Sequence, residues 1–290
     1  MPIILLCCWL RASCQEVVHL WAGTGAGASS VTLKPYLAHA GGDYEGTAVI
    51  ICAGGSYCWH DKKAEGTEVA EWLQANGISA FVLKYRVQGV IPYVTRSRLL
   101  FRGNQYPDAQ NDLHRALEHV RSHAAEYGIN PGRIGVMGFS AGGHLALTVS
   151  EIQNDKIQNS KKSNGQSPSF IAAVYPVVSF SHPDSHKRSR RALLGEYRKN
   201  NRAMRDSLSI EKHIPADCPP VFLVACQDDR VVSFHNSEML DSALTAQDIP
   251  HRFIRYRTGG HGFGASEKKG TAESRAWKQE FLNWLRNLEL

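Results

Sequence analysis

Residues 133–146 of the 290-residue chain read Arg133-Ile-Gly-Val-Met-Gly-Phe-Ser-Ala-Gly-Gly-His-Leu-Ala146. The apolar run Ile134–Met137 predicts a buried strand, and the residues from Gly143 onwards are compatible with a helix. Between them lies the pentapeptide Gly138-Phe-Ser140-Ala-Gly142. Its two glycines permit a sharp turn from strand to helix because they carry no Cβ atoms to collide there. Ser140 is therefore predicted to lie above a sheet at the positive end of a helix, unless it only caps that helix.

The rest of the chain alternates strands and helices in the same way. Apolar runs typical of strands occupy 47–52, 78–83, 133–137, 170–175 and 221–226, and the alternating segment 251–256 predicts a sixth strand near an edge of the sheet. Helical periodicity covers 65–76, 108–127, 143–150, 237–246 and 272–288, whereas residues 16–46 are rich in glycine, alanine and turn clusters. This alternation predicts an α/β fold with a mainly parallel central sheet and helices on both faces.

Composition limits the classes of protein to consider. Hydrophobic residues make up 43% of the chain, which suffices for a full core and excludes a mainly disordered protein. No apolar run reaches the ~20 residues of a membrane helix, so no membrane association is expected. The net charge is +6, with basic residues concentrated in His186–Arg205. We interpret that cluster as a solvated face rather than a nucleic-acid footprint, because no nucleic-acid motif accompanies it.

Domain organisation is predicted to be simple. Residues 15–290 form one domain, and the basic stretch 181–213 is expected to be a cap-like insertion, helical in pieces, over the active site. Residues 1–14 start with the apolar run Met1–Leu10 and end in small residues, so we interpret them as a short signal peptide. The protein would then be secreted or periplasmic. If these residues are instead an apolar end or a first strand, it would be cytoplasmic.

A serine hydroxyl becomes a strong nucleophile only when a base removes its proton. His261, in Gly259-Gly-His-Gly-Phe263, is the best candidate base because it follows the last strand on a glycine-flanked loop. The base needs an acid to orient it, and both Asp228 and Asp229 follow the fifth predicted strand. We prefer Asp229, because a turn with Val232 packing back would orient it. Asp228 remains the alternative, with capping of the turn as its other role.

Negative charge develops on a carbonyl oxygen during acyl transfer and requires N–H donors. One donor is expected from the backbone of Ala141. The other is expected from the loop Gly54-Gly55-Ser56, where glycine permits close approach of the backbone to a substrate, unless this loop is a plain turn. Tyr57 and Trp59 either line an acyl or sugar pocket or belong to the core.

With these residues, the chain resembles the α/β-hydrolase superfamily, and within it the bacterial esterases related to acetylxylan and feruloyl esterases and the hormone-sensitive-lipase-like group. The matching segments are Ala53–Tyr57, Glu65-Gly66, Phe81–Arg86, Gly138–Ala146, Tyr175-Pro176, Leu193–Gly195, Pro219–Phe222, Asp228-Asp229 and Gly260–Phe263. Two positions depart from the pattern. Ala53-Gly-Gly-Ser56 stands where the lipase-like group often has His-Gly-Gly-Gly, and Ser233 stands where many relatives have proline.

The resemblance implies Ser140 as nucleophile, His261 as general base and then acid, and Asp229 as the orienting acid. It also implies oxyanion donors at Gly55, Ser56 and Ala141. We therefore expect a serine carboxylesterase that needs no metal or cofactor and hydrolyses short acyl esters, such as acetyl groups on xylan. The alternatives are a prolyl-oligopeptidase-like peptidase, for which the chain lacks a propeller domain, and a catalytically inactive hydrolase fold that only binds ligands. The sequence makes no prediction about oligomeric state.

Overall fold

The central sheet of the protein has eight strands. The structure, a computed structural model, describes residues 16–22, 30–39, 43–44, 46–95, 103–151 and 167–288. The strands are β1 (Val18–His19), β2 (Thr32–Tyr36), β3 (Ala48–Cys52), β4 (Ser79–Lys84), β5 (Ile134–Phe139), β6 (Ile171–Val174), β7 (Val221–Cys226) and β8 (His251–Tyr256). The predicted signal peptide 1–14 lies outside the described residues.

Strand order in the sheet is β1-β2-β4-β3-β5-β6-β7-β8. The six strands from β4 to β8 are parallel, and β1 and β2 pair antiparallel at one edge. Parallel strands end at the same edge of a sheet, so the residues that follow β3, β5, β6, β7 and β8 are brought together there. This edge holds the candidate site.

Helices cover both faces of the sheet. They are α1 (Glu68–Ala75), α2 (Val90–Thr95), α3 (Asp108–Ser122), α4 (Ala124–Tyr127), α5 (Ala141–Glu151), α6 (Lys187–Arg198), α7 (Arg202–Ser207), α8 (His235–Ala246), α9 (Ala272–Arg275) and α10 (Trp277–Arg286). Apolar side chains of α3, α5 and α8 pack in one buried cluster, and those of α1 and α10 pack in another. Adjacent residues of β3 contribute to different clusters, because successive strand side chains point to opposite faces. The predicted three-layer α/β arrangement is confirmed.

The six predicted strands are present as β3 to β8, and neither β1 nor β2 was predicted. The longer of these two is β2. Its sequence Thr32-Leu-Lys-Pro-Tyr36 contains a lysine and a proline, which interrupt the apolar run that marks the other strands. Proline is tolerated here because β1 pairs only with Thr32 and Leu33, so that among the described residues no strand pairs with Pro35 on that side. This strand depends on its pairing with β4 along its whole length.

The segment 181–213 is helical in pieces, with α6, α7 and a short 3₁₀ turn at Ile210–Lys212. Its basic residues are not all solvated, which corrects part of our interpretation. Arg205 donates to the carbonyl of Phe180 at 2.8 Å, and Arg198 donates to that of Tyr106 at 3.0 Å. These arginines stabilise the segment against its neighbours. In the described part of the chain, no helix is both long and apolar enough to cross a bilayer.

Candidate active site

The turn between β5 and α5 places Ser140 in the left-handed region, with φ of 55°. The two glycines that flank it are sterically required. A Cβ atom on Gly138 would lie 2.0 Å from the carbonyl oxygen of Gly142, and one on Gly142 would lie 2.0 Å from that of Cys52. This crowding fixes the strained conformation of Ser140, as the pentapeptide predicted.

Three side chains from distant parts of the chain form one hydrogen-bonded series at this edge of the sheet. His261 Nε2 lies 2.8 Å from Ser140 Oγ, and His261 Nδ1 lies 2.6 Å from Asp229 Oδ2. The imidazole of His261 is 12% exposed and the side chain of Asp229 is 2% exposed. Since the carboxylate accepts the Nδ1–H, Nε2 is left as an acceptor for the hydroxyl proton of Ser140. The arrangement can therefore activate the serine as a nucleophile.

The turn after β7 orients Asp229. Its Oδ1 accepts hydrogen bonds from the backbone amides of Val231 at 2.8 Å and Val232 at 3.0 Å, and Val232 is buried. These two donors hold Oδ1, so that Oδ2 faces the imidazole. This is the turn with Val232 packing back that led us to prefer Asp229.

Asp228, the alternative acid, lies beside the loop of His261 without contacting its ring. Its carboxylate accepts from the amides of Gly260 at 2.8 Å and Gly259 at 3.2 Å. Asp228 thus anchors the loop that carries the base. The sequence indicated only a cap of its own turn, because the contact joins two loops that follow different strands.

Backbone amides near Ser140 are the candidate oxyanion donors. Ala141 is the first residue of α5, and the first amides of a helix have no partner within it. The amide of Gly54 donates to Glu65 Oε2 at 2.7 Å, which leaves Gly55 and Ser56 as the candidates in this loop. Gly55 has φ of 132°, and a Cβ atom there would lie 2.1 Å from the carbonyl oxygen of Trp59. Glycine is therefore required at this position.

The two aromatic candidates have different environments. Tyr57 is 1% exposed, and its hydroxyl lies 2.8 Å from Nδ1 of His144. His144 Nε2 donates to the carbonyl of Leu208 at 2.9 Å, so Nδ1 accepts the tyrosine proton. Tyr57 thus belongs to the core, the second of its two predicted roles, and its proposed contact with substrate is not supported. Trp59 is 42% exposed, with the guanidinium of Arg188 5.9 Å from its ring centre.

Glu65 is a site residue to which the sequence gave no role. It is 3% exposed, and its Oε1 accepts from the hydroxyl of Tyr175 at 2.9 Å while Oε2 accepts from Gly54. Burial raises the pKa of Glu65, and the positive charge of His261 acts in the opposite direction. The one signal in the sequence was that Glu65-Gly66 belongs to the segments that match the family.

His186, at the start of the basic segment, is a second residue that sequence reasoning missed. Its Nδ1 lies 2.8 Å from the hydroxyl of the buried Ser189. The pKa of His186 is lowered to about 4, mainly by burial and then by the positive charges of His261 and Arg188, whereas Asp229 acts in the opposite direction. The segment 181–213 thus brings an imidazole within electrostatic reach of the Ser140 site.

One group of side chains among the described residues could hold a metal ion, although the sequence predicted no metal site. The ligand atoms of His182, Asp184 and His235 lie within 4.8 Å of one another. None of these residues belongs to the hydrogen-bonded series of Ser140. The chain brings them together from two separate segments, which sequence spacing does not reveal.

Family models and known proteins agree with this architecture. A family model described as BD-FAE matches residues 36–244, and the Dienelactone hydrolase family model matches 204–288. An acetylxylan esterase of Xylanibacter ruminicola is 28% identical over 221 residues, which are 76% of this chain and 41% of that protein. Endo-1,4-beta-xylanase B of Butyrivibrio fibrisolvens is 28% identical over 225 residues, 76% of this chain and 33% of that protein. The chain therefore spans less than half the length of either curated relative.

A solved structure covers nearly the whole chain. The acetyl ester-xyloside bifunctional hydrolase of Caldicellulosiruptor lactoaceticus is 30% identical and has a TM-score of 0.77, with coverage of 93% of this chain and 95% of that chain. The BD-FAE match extends over more than half of the sequence and includes β3 to β7 with the turn at Ser140. The chain is a member of the BD-FAE family and has the α/β-hydrolase fold.

Proposed function

We propose that this protein is a serine carboxylesterase that removes short acyl groups, above all acetyl groups, from carbohydrate esters. The observation that carries the proposal is the hydrogen-bonded series of Ser140, His261 and Asp229 above the carboxyl ends of the parallel strands. All three members are present and in contact, which argues against an inactive hydrolase fold that only binds ligands.

The geometry supports a two-step mechanism. Ser140 Oγ attacks the ester carbonyl while His261 Nε2 takes its proton, and Asp229 stabilises the resulting imidazolium. The amides of Ala141 and of Gly55 or Ser56 donate to the oxyanion. The imidazolium then gives its proton to the departing alcohol, which leaves an acyl-enzyme. Water loses a proton to His261 as it attacks the acyl carbonyl. The imidazolium then gives this proton to Ser140 Oγ as the bond to the acyl group breaks and the carboxylic acid leaves.

Xylan-derived esters are the proposed substrate class. The names of an acetylxylan esterase and of an acetyl ester-xyloside hydrolase among the similar proteins support this choice. The exposed ring of Trp59 follows the oxyanion loop, where it can contact the sugar that carries the ester. Tyr57 packs in the core instead, so Trp59 is the aromatic residue we assign to sugar contact. We further propose that segment 181–213 caps the site, since the charges of His261 and Asp229 both act on the pKa of His186.

A substrate panel tests the proposal. Purified protein is assayed on acetylated xylo-oligosaccharides, feruloyl esters and p-nitrophenyl esters of increasing chain length, with a chromogenic peptide as the test of peptidase activity. We expect the highest kcat/KM on acetyl esters. Ser140→Ala is the matched control, and it should remove hydrolysis by several orders of magnitude.

Two outcomes would overturn the proposal. One is near-normal ester hydrolysis by Ser140→Ala, which would mean that the serine is not the nucleophile. The other is faster cleavage of the peptide than of any ester, which would favour a peptidase. Higher activity on feruloyl than on acetyl esters would contradict only the proposed acyl group and would leave the serine mechanism in place.

A further inference from the structure

We infer that Glu65 is a positioning residue of this site: its buried carboxylate holds both the loop of the oxyanion donors and the loop of the catalytic base. The inference rests on the proposed esterase function. Glu65 lies before α1, in a π-helical turn at Lys63–Thr67, where the amide of Thr67 donates to the carbonyl of Lys62 at 2.9 Å. Such wide turns are frequent at functional sites.

On the oxyanion side, Glu65 fixes the peptide that precedes Gly55. Its Oε2 accepts from the amide of Gly54 at 2.7 Å. The space around Gly54 is closed: a Cβ atom there would lie 2.7 Å from Glu65 Oε2 and 2.9 Å from Ser140 Cβ. Gly54 is thus held between the carboxylate and the nucleophile. Loss of the carboxylate would free the loop that presents the amides of Gly55 and Ser56.

On the base side, Glu65 acts through Tyr175. The hydroxyl of Tyr175 donates to Glu65 Oε1 at 2.9 Å and accepts from the amide of Gly264 at 2.9 Å. The ring of Tyr175 also packs against that of His261, with 4.6 Å between the ring centres. The imidazole therefore rests on a tyrosine whose position depends on Glu65.

A direct backbone contact joins the same two regions. The amide of Ala265 donates to the carbonyl of Ala64 at 2.9 Å. A Cβ atom on Gly264 would lie 2.0 Å from that carbonyl oxygen, so the loop after His261 lies directly on the π-helical turn. The contact means that a displacement of the turn at Glu65 would also displace the base loop.

Groups of the site compensate part of the burial of Glu65. Burial of a carboxylate is unfavourable unless charges or hydrogen bonds compensate. The groups that lower the pKa of Glu65, against the larger effect of burial, are the positive charge of His261, the hydroxyl of Tyr175 and the amide of Gly54. All three belong to the two loops or pack against them. The carboxylate is therefore coupled to the geometry of the site.

Glu65→Gln tests this coupling with little change in volume. The amide oxygen can still accept from Gly54, but the amide nitrogen then faces the hydroxyl of Tyr175, which loses its acceptor. Since the donors and the nucleophile remain, we expect kcat on p-nitrophenyl acetate to fall about tenfold or more, with KM within about twofold. Glu65→Ala, which loses both contacts, should lose about 100-fold. The thermal midpoint of Glu65→Gln checks that it folds.

Asp112→Asn is the matched control, because Asp112 is another fully buried carboxylate, and its side-chain partners are Arg86 and Trp21 rather than groups of the two loops. It should lower the thermal midpoint but leave kcat of the folded enzyme within about twofold. Hydrogen exchange adds a measurement that does not depend on activity. Glu65→Gln should increase amide exchange in peptides that cover 53–56 and 260–264, and Asp112→Asn should not.

The results separate this inference from the proposed function. If the wild type hydrolyses acetyl esters and Glu65→Gln keeps kcat within twofold, Glu65 is not a positioning residue. Unchanged exchange in both loops would overturn the inference as well, whether or not the wild type is active. If the wild type hydrolyses no ester while exchange rises as expected, the proposed function fails and the structural role of Glu65 stands.

Discussion

The two adjacent aspartates after β7 allow a sharp test, because their substitutions should differ greatly in effect. In Asp229→Asn, the backbone amides of Val231 and Val232 still need an acceptor. They therefore bind the side-chain amide oxygen of the new asparagine. The NH₂ group then faces His261 Nδ1, which must become the acceptor. The proton moves to Nε2, which can no longer accept from Ser140 Oγ.

The expected magnitude follows from this change of tautomer. Loss of the correct tautomer in a serine triad lowers kcat by about 10⁴-fold, which is about 5.5 kcal/mol in activation free energy. Asp228→Asn keeps an oxygen for the shorter bond from Gly260 and loses only the longer one from Gly259. An exposed hydrogen bond of this kind contributes about 1 kcal/mol, so kcat should fall by no more than about tenfold.

Steady-state kinetics on p-nitrophenyl acetate at pH 7.5 measures both variants against the wild type. Circular dichroism establishes that each variant is folded. A larger loss for Asp228→Asn than for Asp229→Asn would reassign the orienting acid. A loss of less than tenfold for Asp229→Asn would refute the tautomer argument itself.

Three further predictions concern the turn, the substrate and pH. Gly142→Ala should unfold the protein or lower its free energy of unfolding by about 3 kcal/mol or more, because the new Cβ would lie 2.0 Å from the carbonyl oxygen of Cys52. Denaturant titration measures this free energy, and an unchanged value would contradict the prediction. Trp59→Ala should raise KM for acetylated xylo-oligosaccharides several-fold and leave p-nitrophenyl acetate unaffected, whereas equal effects on both would exclude a sugar contact. Burial lowers the pKa of His144 to about 4 from its usual 6.5, so the unfolded chain binds a proton that the folded chain does not between these values. The free energy of unfolding should therefore fall as pH decreases through that window, by about 1.4 kcal/mol per pH unit for this group, and the slope should be flatter in His144→Gln.

Most of the parallel sheet could be predicted, because its inner strands are buried on both faces and read as continuous apolar runs. The edge strand β8 was recognised from its alternating pattern instead. Val221–Cys226 and His251–Tyr256 have the predicted bounds, and Ser140 lies in the predicted turn. The antiparallel strand at Thr32–Tyr36 could not be recognised, because its stability comes from pairing with β4 rather than from its own pattern. The helix predicted from residue 65 begins instead with a π-helical turn, which no periodicity indicates.

In the site, the role of a residue could be predicted where it depends on the residue type and on a turn of a few neighbouring residues. Roles that depend on contacts between loops could not be predicted. Asp229 could be preferred over Asp228 from the turn to Val232. The contacts of Glu65 with Gly54 and Tyr175 could not be derived, because they join three segments that meet only when the sheet has formed. The burial of Tyr57 likewise depends on His144, a helix residue far along the chain. A prediction of export from residues 1–14 stays a prediction, because that segment lies outside the described residues.

Identification of the atom that attacks the ester is the most direct test of the account. The protein is incubated with a fluorophosphonate, digested, and analysed by tandem mass spectrometry, with Ser140→Ala treated in parallel. We predict one equivalent of phosphonate on Ser140, loss of esterase activity in proportion to labelling, and no labelling of the variant. Stoichiometric labelling of another residue, or full activity after Ser140 has been labelled, would contradict the assignment of the nucleophile and with it the proposed mechanism.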